Sequence, residues 1–455
     1  MHHVMLQLDK ELWGLTHRNI RLYSKGGKVE TNTKHPSMDN NKTPPQRLEE
    51  RARRLQDALE LRQPDRVPIM MHISYMLAEI GGITKQELHE IPGKEQELLE
   101  QAALEYQPDT IFGTIPSNPI PHLILGDRMT AWPGHGVDPD VQFQFVENEY
   151  MKAEDYDALL EDPADWAIRV YMPRVFRSLE GFSLLPPLAM GLFGCYNLLN
   201  LGAYTAQPVV DSFRAFARAA EAAAENISLM ARNTERMAAL GFPPSILVGA
   251  IIEAPFDLMS DTLRGMRGIM LDMYQRPDKL LAAEEKASRF MLEFAIGFSR
   301  ASGLKAAFLP LHRGSDGFMS LKQFERFYWP QLKHMLLTLI EHGIRPILFY
   351  EGTWDQRLKY LAELPRGKTV GWFQSSDIFK VKETVGDVMC IIGGMPNSLL
   401  KGGAIEEVRE HTKKLCQVLG KGGGYIISTG VGEMLGSKPE LVRAWVDAAK
   451  EFGGY

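Results

Sequence analysis

The sequence predicts an α/β fold, a closed (β/α)8 barrel with an N-terminal extension, on three observations. Short, continuously apolar segments recur at Ile246–Ile252, Ala306–Leu311, Pro346–Tyr350, Val370–Phe373, Val388–Ile392 and Tyr425–Ser428. Buried parallel strands have this composition, because both of their faces are covered. Amphipathic stretches such as Leu321–Glu341, Ile405–Leu419 and Pro439–Phe452 separate several of them. The apolar segments also end in polar or turn-forming residues, the pattern of a barrel rim where loops carry chemistry.

Along the chain, residues 1–43 form the extension. Ser24–Pro45 is rich in Lys, Asn, Thr, Gly and Pro and lacks an apolar period, so it is expected to be a mobile arm or one that packs on a partner, a homodimer included. The barrel is expected over 44–455. Gln46–Leu61 carries Leu48, Leu55, Leu59 and Leu61 on a charged background, a helical pattern that Pro64 and Asp65 stop. Val67–Met71 and Thr110–Phe112 bring the strands to eight. The link from 373 to 388 holds a shorter helix near Phe379–Val385. An open doubly wound sheet is the competing architecture, and the lack of a Gly-rich dinucleotide fingerprint counts against it.

Composition excludes several classes. The chain has 455 residues, 45% hydrophobic and 24% charged, with a net charge of −6. It needs no disulfides to bury a core, and it has no basic stretch suited to nucleic acid. Cys195, Cys390 and Cys416 form no C-x-x-C, which suits a reducing compartment. No apolar run is long enough for a membrane span, and Met1–Asn41 lacks the apolar core of a secretory signal. A cytoplasmic enzyme is the expectation.

Phe318–Trp329 (FMSLKQFERFYW), Pro346–Asp355 (PILFYEGTWD), Asp377–Pro396 and Gly423–Glu440, together with the opening Pro64–Pro68 (PDRVP), resemble the uroporphyrinogen decarboxylase superfamily. The resemblance spans roughly Gln46–Tyr455. It implies a distorted (β/α)8 barrel with a cleft at the C-terminal rim. In the porphyrinogen decarboxylases it implies two substrate-binding arginines after the first strand and an essential aspartate after the second. Here those places hold Met71–Met76, with no arginine, and Thr114. In the corrinoid methyltransferase branch it implies a thiol-activating zinc, held by a strand-end pair and a late cysteine. Phe349 and Glu351 occupy the pair, and Val431 the cysteine position. Two of the three ligands are thus replaced, and such a site needs three protein donors.

Residue by residue, Glu351 follows an apolar strand and precedes Gly352 and Trp354. It fits an acid, a base or a metal ligand, or else a salt-bridged rim carboxylate. His312 follows Ala306–Leu311 and fits a proton shuttle or ligand, or a loop-bonded histidine. Arg313 fits a substrate carboxylate or a pair with Asp316. Asp377 fits a rim ligand or a helix cap. His72, Tyr75 and Trp354 are candidate substrate contacts, with ordinary packing as the alternative. Glu253 and Asp257 read as helix caps or as site acids. Arg264 and Arg267 read as a salt-bridged face, and Met259, Met266, Met270 and Met273 as core filler. Gly422–Gly424 reads as a turn.

Glu351, His312 and Asp377 therefore form the expected catalytic set. They would converge in one cleft as a divalent metal site, zinc among the candidates, or as a metal-free acid/base site. The leading expectation is methyl transfer from a small methylated ether, amine or thiol to a separate corrinoid protein, since the sequence holds no D-x-H-x-x-G cobalamin motif. The alternatives are a decarboxylase or lyase acting on a different acid, and a non-catalytic tetrapyrrole-binding module.

Overall fold

The computed structural model describes residues 42–114, 118–190, 201–429 and 434–455. All eight expected strands are present: β1 Met70–His72, β2 Thr110–Phe112, β3 Ala250–Ile251, β4 Ala306–Leu311, β5 Arg345–Tyr350, β6 Val370–Phe373, β7 Cys390–Met395 and β8 Tyr425–Thr429. Every pairing among them is parallel. β3 to β8 follow one another as a sheet, β1 pairs with β2, and a parallel bridge between Ile69 and Ile427 joins the first strand to the last. That first-to-last contact gives the cyclic order of a barrel and rules out the doubly wound sheet.

The interior confirms closure. Met70, Phe112, Phe308, Ile347, Phe349, Val370, Trp372, Cys390, Ile392 and Ile426 meet in one cluster, joined by Ile246 and Leu247 just before β3. Strand alternation explains the selection, since every second residue faces inward. Among the described residues no ladder joins β2 to β3, so side chains complete the cylinder there.

The N-terminal helix spans Pro44–Leu59, starting two residues earlier than the sequence pattern indicates. Its Leu55, Ala58 and Leu59 plug the bottom of the barrel. Arg54 and Arg66 both reach the fully buried carboxylate of Asp109, at 2.5 and 2.8 Å, and the Ile69 backbone N–H donates to the same group at 2.8 Å. Helix, first strand and second strand are thereby locked together.

The largest departure from the sequence expectation lies between β2 and β3. A small three-stranded sheet, several short helical turns and a helix over Gln207–Ala239 fill this insertion. Leu179, Phe182, Leu185, Val209 and Ala215 give it a core of its own. Among the described residues no helix is long and apolar enough to cross a membrane.

Candidate active site

β3, β4 and β5 are neighbours in register, so the residues just past their ends, Glu253, His312 and Glu351, stand side by side on the rim. After Glu253 the chain turns at Pro255 into a helix that runs on through a wide π-type turn over Leu258–Arg264. Asp257 and Asp261, four residues apart, lie on one face of it and point back at β4.

The fully buried Asp257 holds the end of β4. It accepts the backbone N–H groups of His312 (3.0 Å) and Arg313 (2.9 Å) and the Tyr328 hydroxyl (2.7 Å). His312 is thus fixed in backbone and ring. Its Nδ1 lies 2.5 Å from Asp261 and its Nε2 3.3 Å from Glu351. Burial works against its charge, but Asp261, Glu351 and Asp257 outweigh burial and push its pKa up to about 11. His312 is an imidazolium at neutral pH, with each nitrogen donating to a carboxylate. Gly314 makes the following turn possible. A Cβ there would lie 2.3 Å from the Trp354 ring and 2.6 Å from Tyr328.

The carboxylates divide by environment. Burial raises Asp261, but the bond to His312 and the charges of His312 and Arg313 prevail and hold it below the usual range. Asp257 moves up, because of burial and then of Asp261. Glu253 moves up to about 7, through burial and the charges of Asp261 and Asp257. Its hydrogen-bond partner is the Thr262 hydroxyl, at 3.2 and 3.4 Å. A carboxyl protonated near neutrality beside an ionised one is the arrangement that separates acid from base.

Arg313 does not pair with Asp316, as the sequence allowed. Its Nε donates to Asp261 (2.6 Å) and Ser260 (3.1 Å), and its Nη2 to Glu147 (3.2 Å) on the insertion, while Asp316 pairs with Arg357 at 2.7 Å. Glu147 also accepts the Met266 backbone N–H at 2.7 Å, so it ties the insertion to the rim. Arg264 is salt-bridged as expected, but in the interior, with Asp272 at 2.5 Å. Met259 and Met273 are core residues, whereas Met266 is exposed.

The expected set of Glu351, His312 and Asp377 is brought together only in part. Asp377 is exposed, and its carboxylate accepts the backbone N–H groups of Phe379 and Lys380 as the cap of the helix Ile378–Val385. Both His312 nitrogens are taken by carboxylates. Among the described residues no three His, Cys, Asp or Glu side chains form a group able to hold a metal. The zinc positions implied by the resemblance fit no better. Phe349 faces the barrel interior against Trp372, with ring centroids 4.7 Å apart, and Val431 lies outside the described residues. Glu351, His312 and Asp377 therefore do not form a shared ligand group among the described residues.

Trp354 is a second correction. It is fully buried and packs on Tyr350, Tyr328 and Phe324, with its indole N–H donating to the Glu351 carbonyl at 2.8 Å. It holds Glu351 from beneath and does not line the cleft. Trp354→Ala is expected to cost about 3–5 kcal/mol in urea unfolding; a loss under about 1 kcal/mol would show that the ring is not a core element.

His72 sits inside the barrel, stacked on Phe112 at 4.5 Å, and burial drives its pKa down to about 3. Tyr75 is buried, and its hydroxyl lies 2.9 Å from His89. Both pack as interior residues. Thr114 hydrogen-bonds to the carboxyl of Glu95, at 2.5 Å from its hydroxyl. Asp261 was missed by the strand-end reading. The signal available was the spacing of Asp257 and Asp261, four residues apart, which places two acids on one helical face.

The family model for uroporphyrinogen decarboxylase (URO-D) matches residues 184–452. Among solved structures, a methyltransferase from Methanosarcina mazei superposes with a TM-score of 0.55 at 15% identity, covering 88% of this chain and 98% of that one. At this identity the likeness establishes the shared barrel. A search of curated proteins finds no match. With the family model spanning more than half of the chain, over the same strands that build the rim, the protein belongs to the uroporphyrinogen decarboxylase family.

Proposed function

We propose that the protein is a methyltransferase that takes a methyl group from a small methylated ether, amine or thiol and passes it to a corrinoid carried by a separate protein. The observation that carries this reading is Glu253, a carboxyl poised near neutrality with one hydroxyl as its hydrogen-bond partner, on the strand next to a fixed imidazolium. Breaking a carbon–heteroatom bond leaves a lone pair on the heteroatom, and departure is easier when a proton is held there. Glu253 donates that proton to an ether oxygen or a thioether sulfur, or accepts the N–H of an amine. His312 and Glu351 form the adjoining wall, while burial, Asp261 and Asp257 keep the proton on Glu253. The reduced corrinoid is the methyl acceptor and supplies the electron pair for the new bond.

Several features favour this over decarboxylation of a porphyrinogen. No arginine follows β1, Thr114 follows β2, and Arg313 is already committed to Asp261 and Glu147. The guanidinium described at this rim, that of Arg313, has no fork left for a polycarboxylate.

Incubation with free cob(I)alamin and a panel of methoxy, methylamino and methylthio compounds tests the reading. The expected result is donor-dependent formation of methylcobalamin, followed by its visible spectrum. Tight binding of cobalamin with no methyl transfer from any donor class would replace the enzyme with a binding module.

A further inference from the structure

We infer that the methyl donor is a methylated amine bound as its ammonium ion; this rests on the methyl-transfer reading and narrows its substrate. The charges at the mouth decide it. His312 and Arg313 are the cations of the cluster, and both are consumed by groups already there. Asp261 takes His312 Nδ1 and Arg313 Nε, Glu351 takes His312 Nε2, and Glu147 takes Arg313 Nη2. What remains for a ligand is carboxyl: Glu253, which among the described residues meets no cation at hydrogen-bond distance, and Glu351, whose side chain is 43% exposed.

A second observation comes from a different element. Glu284, on the helix Pro277–Ser302, is fully buried, and among the described residues neither of its oxygens has a hydrogen-bond partner. Burial first, and then the charge of Asp257, push its pKa well above the ordinary value, so it stays protonated: the surroundings of the cluster already refuse one further negative charge. A carboxylate or phosphate on the donor would enter against the ionised Asp261, and among the described residues of the cluster no uncommitted cation would meet it. An ammonium would enter with its charge favoured, and an N–H on it could donate to a carboxylate oxygen of Glu253 or Glu351. Ethers and thioethers carry neither the charge nor the donor.

The chemistry balances without an added oxidant or acid. The C–N bond breaks with its electron pair going to nitrogen, and the methyl carbon bonds to the reduced corrinoid acceptor, which supplies the new pair. The amine leaves neutral.

Calorimetry on the full chain tests the charge selection directly. Trimethylammonium is expected to bind about tenfold or more tighter than tert-butanol, a neutral molecule of similar size, and acetate is expected to bind more weakly still. Glu351→Gln, at a half-exposed position, is expected to weaken trimethylammonium binding by about tenfold and to leave tert-butanol unchanged. Acetate binding as well as trimethylammonium, equal binding of trimethylammonium and tert-butanol, or an unaffected Glu351→Gln variant would overturn the inference. The two readings fail separately. Methyl transfer from ethers but not from amines removes the ammonium inference alone, whereas ammonium binding with no transfer from any donor removes the methyltransferase.

Discussion

Glu253→Gln is expected to lower the rate of methyl transfer by about 10²-fold or more, with the fold intact. The amide keeps the volume and the contact to Thr262 but can neither give up nor take a proton at neutral pH. Comparison of single-turnover rates, with cobalamin as acceptor, measures the loss. Urea unfolding of the same variant shows whether structure has been retained. A variant with wild-type turnover would remove Glu253 from the chemistry. The stability comparison has a definite sign with pH. The folded carboxyl titrates near 7 against an ordinary value of 4.5, so the folded chain keeps a proton that the unfolded chain releases between those values. The contribution is full below about 4.5 and is lost as pH rises through about 7. Glu253→Gln removes that component, so its stability is expected to vary less across this window.

Asp109→Ala is expected to cost about 3–5 kcal/mol, among the largest losses available from one substitution. The substitution leaves the Arg54 and Arg66 guanidinium groups and the Ile69 N–H without their shared acceptor. Arg54 is buried, so water does not repair the loss. Denaturant unfolding is the measurement, and a loss below about 1 kcal/mol would show that the network is dispensable. Burial alone would raise the Asp109 pKa, but Arg66, Arg54 and the Ile69 N–H bring it below the ordinary 3.8. Its contribution is therefore present above about 3.8 and disappears as pH falls through the lower folded value. Acid should release the N-terminal helix from the barrel floor.

The barrel was legible because a strand covered on both faces is mostly apolar, and the eight runs in this chain are so apart from residues such as Thr110 and Ser428. The insertion between β2 and β3 was not. Its longest helix, Gln207–Ala239, is Ala-rich with an apolar stripe, and nothing in that pattern says where it docks. Proximity of His312 and Glu351 followed from their places after adjacent strands. The same reasoning misjudged Asp377 and Trp354. A strand end fixes where a backbone emerges, not whether the side chain turns to the cleft, caps a helix or drops into the core. Asp261 lies on a helical turn, and its part in the cluster exists only because the fold returns that turn to β4.

The seam between β2 and β3 has a consequence for how the molecule tolerates change. A cylinder sealed all round by amide ladders transmits any shift in one crossover to the alignment of the next strand. Here the bulky crossover leaves and re-enters where apolar side chains, not backbone bonds, make the join. Residues can therefore be gained or lost in that excursion, and its helix re-angled, without slipping β4 and β5 against each other.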